Sequence, residues 1–200
     1  MTSRRRPSPA AVPRLILASG SPRRASLLRE LGMSFSVVTS NAAEATPDFL
    51  SPAEAAQVNA CRKAMQVARQ HPDCLVLGAD TVVSVDGVHF GKPASLAEAE
   101  AMLARLQGRV HQVATGICMV HWARRRWRLF ADTTAVTFKT LKPAQIRRYL
   151  RSINPLDKAG GYALQDKGQV IVECIQGSCS NVVGLPVERL REELAAWVWG

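Results

Sequence analysis

The segment Cys74–Val85 constrains the fold of this chain more than any other. Leu75-Val76-Leu77 and Val82-Val83 with Val85 make a β-rich run, Asp86-Gly87 is a tight-turn signal, and Val88–Phe90 returns as a hairpin partner. Inside that apolar run stands Gly78-Ala79-Asp80-Thr81. A carboxylate in a core strand is costly to bury unless it stays ionised beside a metal or another cation, or is used as a base. One segment thus predicts a sheet and a chemical site on it.

Around this strand, helix and strand signals alternate. Leu15–Ala18 reads as a short buried strand, and Ser21-Pro22 as an N-cap with proline at the first helical position, opening a helix to about Leu31. Phe35–Thr39 is a second strand. Ser51-Pro52-Ala53-Glu54 is a capping box ahead of an Ala-rich helix to about Gln70, and Ser95-Leu96-Ala97-Glu98 is a second box before a helix whose apolar face is Ala99, Met102, Leu103 and Leu106. Arg109–Trp122 and Trp127–Phe138 read as long strands joined through Arg124-Arg125-Arg126, and Pro143 starts a helix carrying Ile146, Tyr149 and Leu150. Strands at Val170–Cys174 and Asn181–Val183 and a last helix from Pro186 complete the pattern. Interleaved elements of this kind predict an α/β fold, and the long hairpin makes its sheet mixed.

The chain is long enough, at 200 residues with 47% hydrophobic and 21% charged, to bury a sizeable core, and its composition excludes disordered and collagen-like classes. No run approaches the roughly 18 apolar residues of a membrane helix. Arg4–Arg6 precede a partly apolar run, but Pro13 and Arg14 interrupt it, so residues 1–13 are expected to be a disordered tail and 14–200 a single domain. Five cysteines, with no C-x-x-C pair and no histidine at zinc-ligand spacing, point to a reducing, cytoplasmic setting without a structural metal. The formal charge of +10 suits a polyanionic partner without choosing which.

Several segments carry groups suited to phosphate chemistry. Ser19-Gly20-Ser21-Pro22-Arg23-Arg24 lies at a strand-to-helix turn, where unpaired N–H groups, two hydroxyls and two guanidiniums can cradle phosphates; the same residues also read as a simple cap with solvated arginines. Lys63 in the second helix and Lys92 in Gly91-Lys92-Pro93 can return near Asp80, although a helix lysine is commonly just exposed. Glu44 lies in a loop where solvation is the ordinary outcome. Asp157-Lys158-Ala159-Gly160-Gly161-Tyr162 is a polar turn, and the amide of Gln165 can pair with the edge of a pyrimidine base.

Together with Gly177-Ser178 and Asn181-Val182-Val183-Gly184-Leu185-Pro186, these segments resemble, in order and from about Leu15 to Leu194, the Maf family of nucleoside triphosphate pyrophosphatases, once described as septum-formation inhibitors. The resemblance implies an elongated, two-lobed α/β architecture, similar to inosine triphosphatases, with a strongly curved mixed sheet and a central cleft. It implies cleavage between the α and β phosphates with Mg²⁺ or Mn²⁺. The implied catalytic residues are Asp80, Glu44, Lys63 and Lys92, with Glu44 and Asp80 holding metal and the choice of base between them left open. Ser19, Ser21, Arg23, Arg24, Thr81 and Gln165 are the implied substrate contacts. Arg24, Thr81 and Gln165 match the branch that prefers dTTP and UTP, whereas the methylated-GTP branch has Trp in place of the first motif arginine. Modified pyrimidine triphosphates fall within the same expectation. Two departures stand out: Ala43 precedes Glu44 where a second acid is usual, and Arg62 precedes Lys63 where Glu is frequent. Family members often form homodimers. The shared cleft predicts that the Ser19–Arg24 turn faces the Asp157–Gln165 turn.

Two other classes compete. A non-catalytic nucleic-acid-binding protein is suggested by the charge and by Arg124–Arg126 between Trp122 and Trp127, but only 6% of the chain is aromatic, few for a stacking surface, so a nucleic-acid partner is not expected. A regulator of cell division that senses nucleotides without turnover is the other.

Overall fold

The computed structural model describes residues 14–45, 47 and 49–197; the tail expected over 1–13 and the last three residues of the expected domain lie outside them. In chain order the elements are β1 (Leu15–Leu17), α1 (Pro22–Glu30), β2 (Phe35–Val37), α2 (Pro52–Gln70), β3 (Leu75–Val85), β4 (Val88–Phe90), α3 (Leu96–Leu106), β5 (Val110–His121), β6 (Arg126–Phe138), α4 (Pro143–Leu150), β7 (Val172–Gln176), α5 (Cys179–Val183) and α6 (Val187–Ala195). The strands make one mixed sheet in the order β2-β1-β3-β5-β6-β7, with β4 also on β3. β1 runs parallel to β2 and β3, and every other pairing is antiparallel. No described helix is long and apolar enough to cross a membrane.

The local signals explain the helix starts. Ser51 and Glu54 exchange reciprocal hydrogen bonds in a complete capping box at α2. At α3 only half of the expected box forms: Ser95 accepts from the Glu98 amide, but the Glu98 carboxylate takes the N–H of Ala94 instead of Ser95. Asp86 (φ 49°) and Gly87 (φ 74°) supply the left-handed pair that a tight hairpin needs.

Two expectations are corrected. Asn181–Val183 is not a strand but part of α5, which Ser178 caps at its start and Gly184 (φ 124°) ends. The strand expected from Val170 begins at Val172, because Lys167 adopts a left-handed conformation and Gly168–Val170 form a 3₁₀ turn.

Alternation along β3 sorts its side chains between two layers. Leu75 and Leu77 pack with α1 and α6 through Leu27, Leu28 and Leu190. Val76 faces α2, packed with Ala60, Ala64 and Val67. A third cluster joins Val83, Val113, Phe138 and Tyr162 to α3 and α4. α2 lies unusually close to the sheet: a Cβ on Gly78 would stand 2.3 Å from the Ala60 carbonyl oxygen, and one on Gly116 would stand 2.3 Å from the Ala56 carbonyl carbon. Glycine at both positions is what lets the helix backbone rest on β3 and β5.

The edge of β3 that faces β1 is interrupted. β1 pairs with Leu75–Leu77 and β4 with Val83–Val85, so among the described residues no strand covers 78–82 on that side. Asp80 and Thr81 sit in this gap.

Candidate active site

At the gap opens a cavity of about 530 Å³, a volume within the range of small-ligand sites. It lies where the three clusters meet, with Ala18, Val83, Val113, Tyr162 and Val183 among its walls. All ten residues proposed from the sequence line it: Ser19, Ser21, Arg23 and Arg24 from the β1–α1 turn, Asp80 and Thr81 from β3, and Glu44, Lys63, Lys92 and Gln165 from four further segments.

Asp80 shares the parity of Val76 and Gly78 and so points to the α2 side. The residue is buried, its side chain 9% exposed, and the carboxylate is held at two points: Oδ1 accepts from Lys63 Nζ at 2.6 Å, and Oδ2 accepts from Asn59 Nδ2 at 3.0 Å. The Lys63 side chain is 11% exposed, so it is not the solvated helix lysine of the simpler reading. The same ammonium donates to Glu44 Oε1 at 2.7 Å, and Lys92 Nζ stands 3.6 Å from that oxygen. Glu44, still 44% exposed, is therefore paired and not merely solvated. Burial works to raise the Glu44 carboxyl, but the hydrogen bond and charge of Lys63, with Lys92 and Arg24, hold it below its ordinary value.

Thr81 has the opposite parity and points to the α1 side. Its hydroxyl accepts from Arg24 Nη2 at 3.0 Å and lies 2.9 Å from the Thr115 hydroxyl, its cross-strand partner. Thr115 spends its one proton on the Asn181 carbonyl at 3.0 Å, so Thr81 is the donor between the two threonines. The Asn181 amide continues the chain to the Val113 carbonyl and the Thr134 hydroxyl. Arg24 also donates to the Gly184 carbonyl at 2.8 Å and to Ser19 Oγ at 3.1 Å. Burial lowers its pKa, partly opposed by Asp80. The Ser21 hydroxyl caps α1, accepting from the Arg24 amide.

The two turns expected to face each other do so. Arg23 Nη1 donates to Asp157 Oδ2 at 2.9 Å and Nη2 to the Asp157 carbonyl at 3.2 Å. Burial works to raise the Asp157 carboxyl, but hydrogen bonds from Lys158 and Arg23 outweigh it and hold it low. Gln165 lies exposed on the wall beyond this turn.

Sequence reasoning missed Asn59, Thr115 and Asn181. Asn59 stands one helical turn before Lys63, so the i, i+4 rule locates it once Lys63 is assigned. Thr115 carried no signal, and Asn181 stood only within the segment Asn181–Pro186 of the resemblance, with no role given to it, because only strand register and the placement of α5 bring the two under Thr81.

The family described as Maf-like protein matches residues 14–197. The dTTP/UTP pyrophosphatase of Pelotomaculum thermopropionicum is 43% identical over 180 residues, covering 90% of this chain and 94% of the relative. Those of Bacillus cereus (strain ATCC 10987 / NRS 248) and Bacillus anthracis (strain CDC 684 / NRRL 3495) are 43% and 42% identical over 181 residues, each covering 90% of this chain and 88% and 94% of the relative. With the match extending over the whole described sheet and its cavity, the chain belongs to the Maf family.

Proposed function

We propose that this protein hydrolyses dTTP and UTP, and modified pyrimidine triphosphates of the same shape, to the nucleoside monophosphate and pyrophosphate. The observation that carries the reading is the convergence of Arg23, Arg24, Lys63 and Lys92 with the carboxylates of Glu44 and Asp80 on one cavity beside a hydrogen-bonding turn. The named activity of relatives at 42–43% identity supports it.

The donor set also suits a divalent cation. Glu44 Oε1 and Asp80 Oδ1 both lie against Lys63 Nζ, so two hard oxygens already converge on one positive charge. Mg²⁺ and Mn²⁺ bind through one or two carboxylates together with substrate phosphates. Among the described residues no cluster of three or more ligating side chains occurs, which leaves the other positions to phosphate and water. When bound, such a cation neutralises charge on the departing pyrophosphate.

The protein's own groups divide the remaining work. Arg23, Lys63 and Lys92 bind the phosphates, supported by the hydroxyls of Ser19 and Ser21 and the N–H groups of the β1–α1 turn. Arg24 engages three of its five N–H donors internally, which fixes it and leaves two for the substrate. Thr81 holds Arg24 in place. Asp80, buried and held at both oxygens, orients the attacking water and takes its proton; Glu44, more exposed, anchors the cation side. Gln165 pairs with the pyrimidine edge. The odd number of cysteines, with no C-x-x-C pair among them, supports a reducing, cytoplasmic setting. The test is pyrophosphate release from dTTP and UTP with Mg²⁺ or Mn²⁺, lost in Asp80→Asn; no release from any triphosphate overturns the reading.

A further inference from the structure

We propose that Asn59 is a positioning residue for this reaction, one side chain that holds the Asp80 carboxylate and the Glu44 loop in a fixed relation to each other. The inference rests on the roles given to Asp80 and Glu44 above.

α2 buries Ala55, Ala56, Ala60, Ala64, Val67 and Ala68, and among them a single polar side chain, Asn59, which is 1% exposed. Asparagine is a poorer helix former than alanine, and its amide is costly to bury unpaired. Both halves of the amide are used. Nδ2 donates to Asp80 Oδ2 at 3.0 Å, and Oδ1 accepts from the backbone N–H of Ala45 at 2.9 Å. The orientation follows from chemistry alone, since a carboxylate can only accept and a backbone N–H can only donate.

Two consequences follow for the site. Asp80 is gripped from both sides, by Lys63 on Oδ1 and Asn59 on Oδ2, so its carboxylate plane cannot turn without breaking a buried hydrogen bond. Ala45 directly follows Glu44, so the same amide tethers the loop at the residue next to the second carboxylate. Lys63 ties the two acids by charge, and Asn59 ties them by direction. Outer-shell partners of this kind change activity by about 10- to 100-fold when removed.

Two substitutions separate the two bonds. Asn59→Asp keeps an acceptor for the Ala45 N–H but replaces the fixed N–H donor to Asp80 by a second carboxyl, which repels Asp80 or shares a proton with it; Asn59→Leu loses both bonds. Each is assayed for kcat and KM on dTTP and UTP beside the wild-type protein, and for hydrogen exchange at the Ala45 amide, with circular dichroism to verify folding. The expected result is a kcat lowered about 10- to 100-fold in both variants with KM within about threefold of wild type. Ala45 exchange should rise about tenfold in Asn59→Leu and stay near wild type in Asn59→Asp. Unchanged kcat in a folded Asn59→Asp, or unchanged Ala45 exchange in Asn59→Leu, overturns the proposal. If Asn59→Leu does not fold, Asn59→Asp decides the kcat arm by itself. A wild-type protein that releases no pyrophosphate sinks the enzymatic reading on its own, while the exchange arm, which uses no substrate, still decides whether Asn59 holds the loop.

Discussion

Replacing Lys63 by methionine removes the ammonium that donates to both Asp80 and Glu44. Lys63 and Asp80 are 11% and 9% exposed at the side chain, so the change leaves a buried carboxylate without its cation. Breaking a buried pair in this way typically costs about 3–5 kcal/mol. The carboxylate oxygens are 2.7 and 2.6 Å from the same nitrogen, hence at most about 5.3 Å apart. Like charges at that spacing repel by about 3 kcal/mol at an effective dielectric near 20. Glu44 is 44% exposed and can swing into water, which relieves most of that repulsion and places the expected loss at the low end, about 3 kcal/mol. For a chain of this size that is a drop of about 6–12 °C in Tm. Thermal unfolding of wild type and Lys63→Met, each with and without Mg²⁺ or Mn²⁺, tests it. The divalent cation should raise the Tm of the variant more than that of wild type, because it takes the place of the ammonium. A variant within about 0.5 kcal/mol of wild type refutes the argument that Lys63 compensates the buried acid.

Other outcomes follow from the same geometry. Gly116→Ala forces a Cβ to 2.3 Å from the Ala56 backbone, so α2 must lift; we expect a loss of about 1–3 kcal/mol in urea unfolding, and lower turnover because Lys63 and Asn59 ride on that helix. His111, buried against Phe138 and bonded to the Tyr162 hydroxyl, has its pKa pushed down to about 4 by burial. The unfolded chain therefore binds a proton near pH 6.5 that the folded chain refuses, and stability should fall on the order of 3 kcal/mol as pH drops from about 6.5 to 4. His111→Phe should flatten that slope, and a slope equal to wild type would show that His111 is not its source.

The sequence made those parts of the fold legible that depend on neighbours along the chain. Ser21-Pro22, the Ser51–Glu54 box and Asp86-Gly87 act within a few residues, so their elements appear where their chemistry places them. Asn181–Val183 misled because two valines favour a strand, whereas the Ser178 cap and the Asn181 bonds to Val113 and Thr134 hold a short helix. The acid was readable from residue type, since a carboxylate in a core strand demands a cation, but Lys63 and Glu44 looked like ordinary solvated residues by themselves and were singled out only by the family resemblance, because the contacts that bury Lys63 are made across the fold. The hydrogen-bonded half of the site was not readable, since Thr81 meets Thr115 only through the register of β3 against β5.

The most direct test of the central claim is pyrophosphate release by the purified protein with Mg²⁺ or Mn²⁺ across UTP, dTTP, CTP, GTP, 7-methyl-GTP, ATP and modified pyrimidine triphosphates, with Asp80→Asn alongside. The account predicts turnover confined to dTTP, UTP and modified pyrimidines and abolished in the variant. Turnover of 7-methyl-GTP instead contradicts the roles given to Arg24 and Gln165, and undiminished turnover in Asp80→Asn contradicts the site itself.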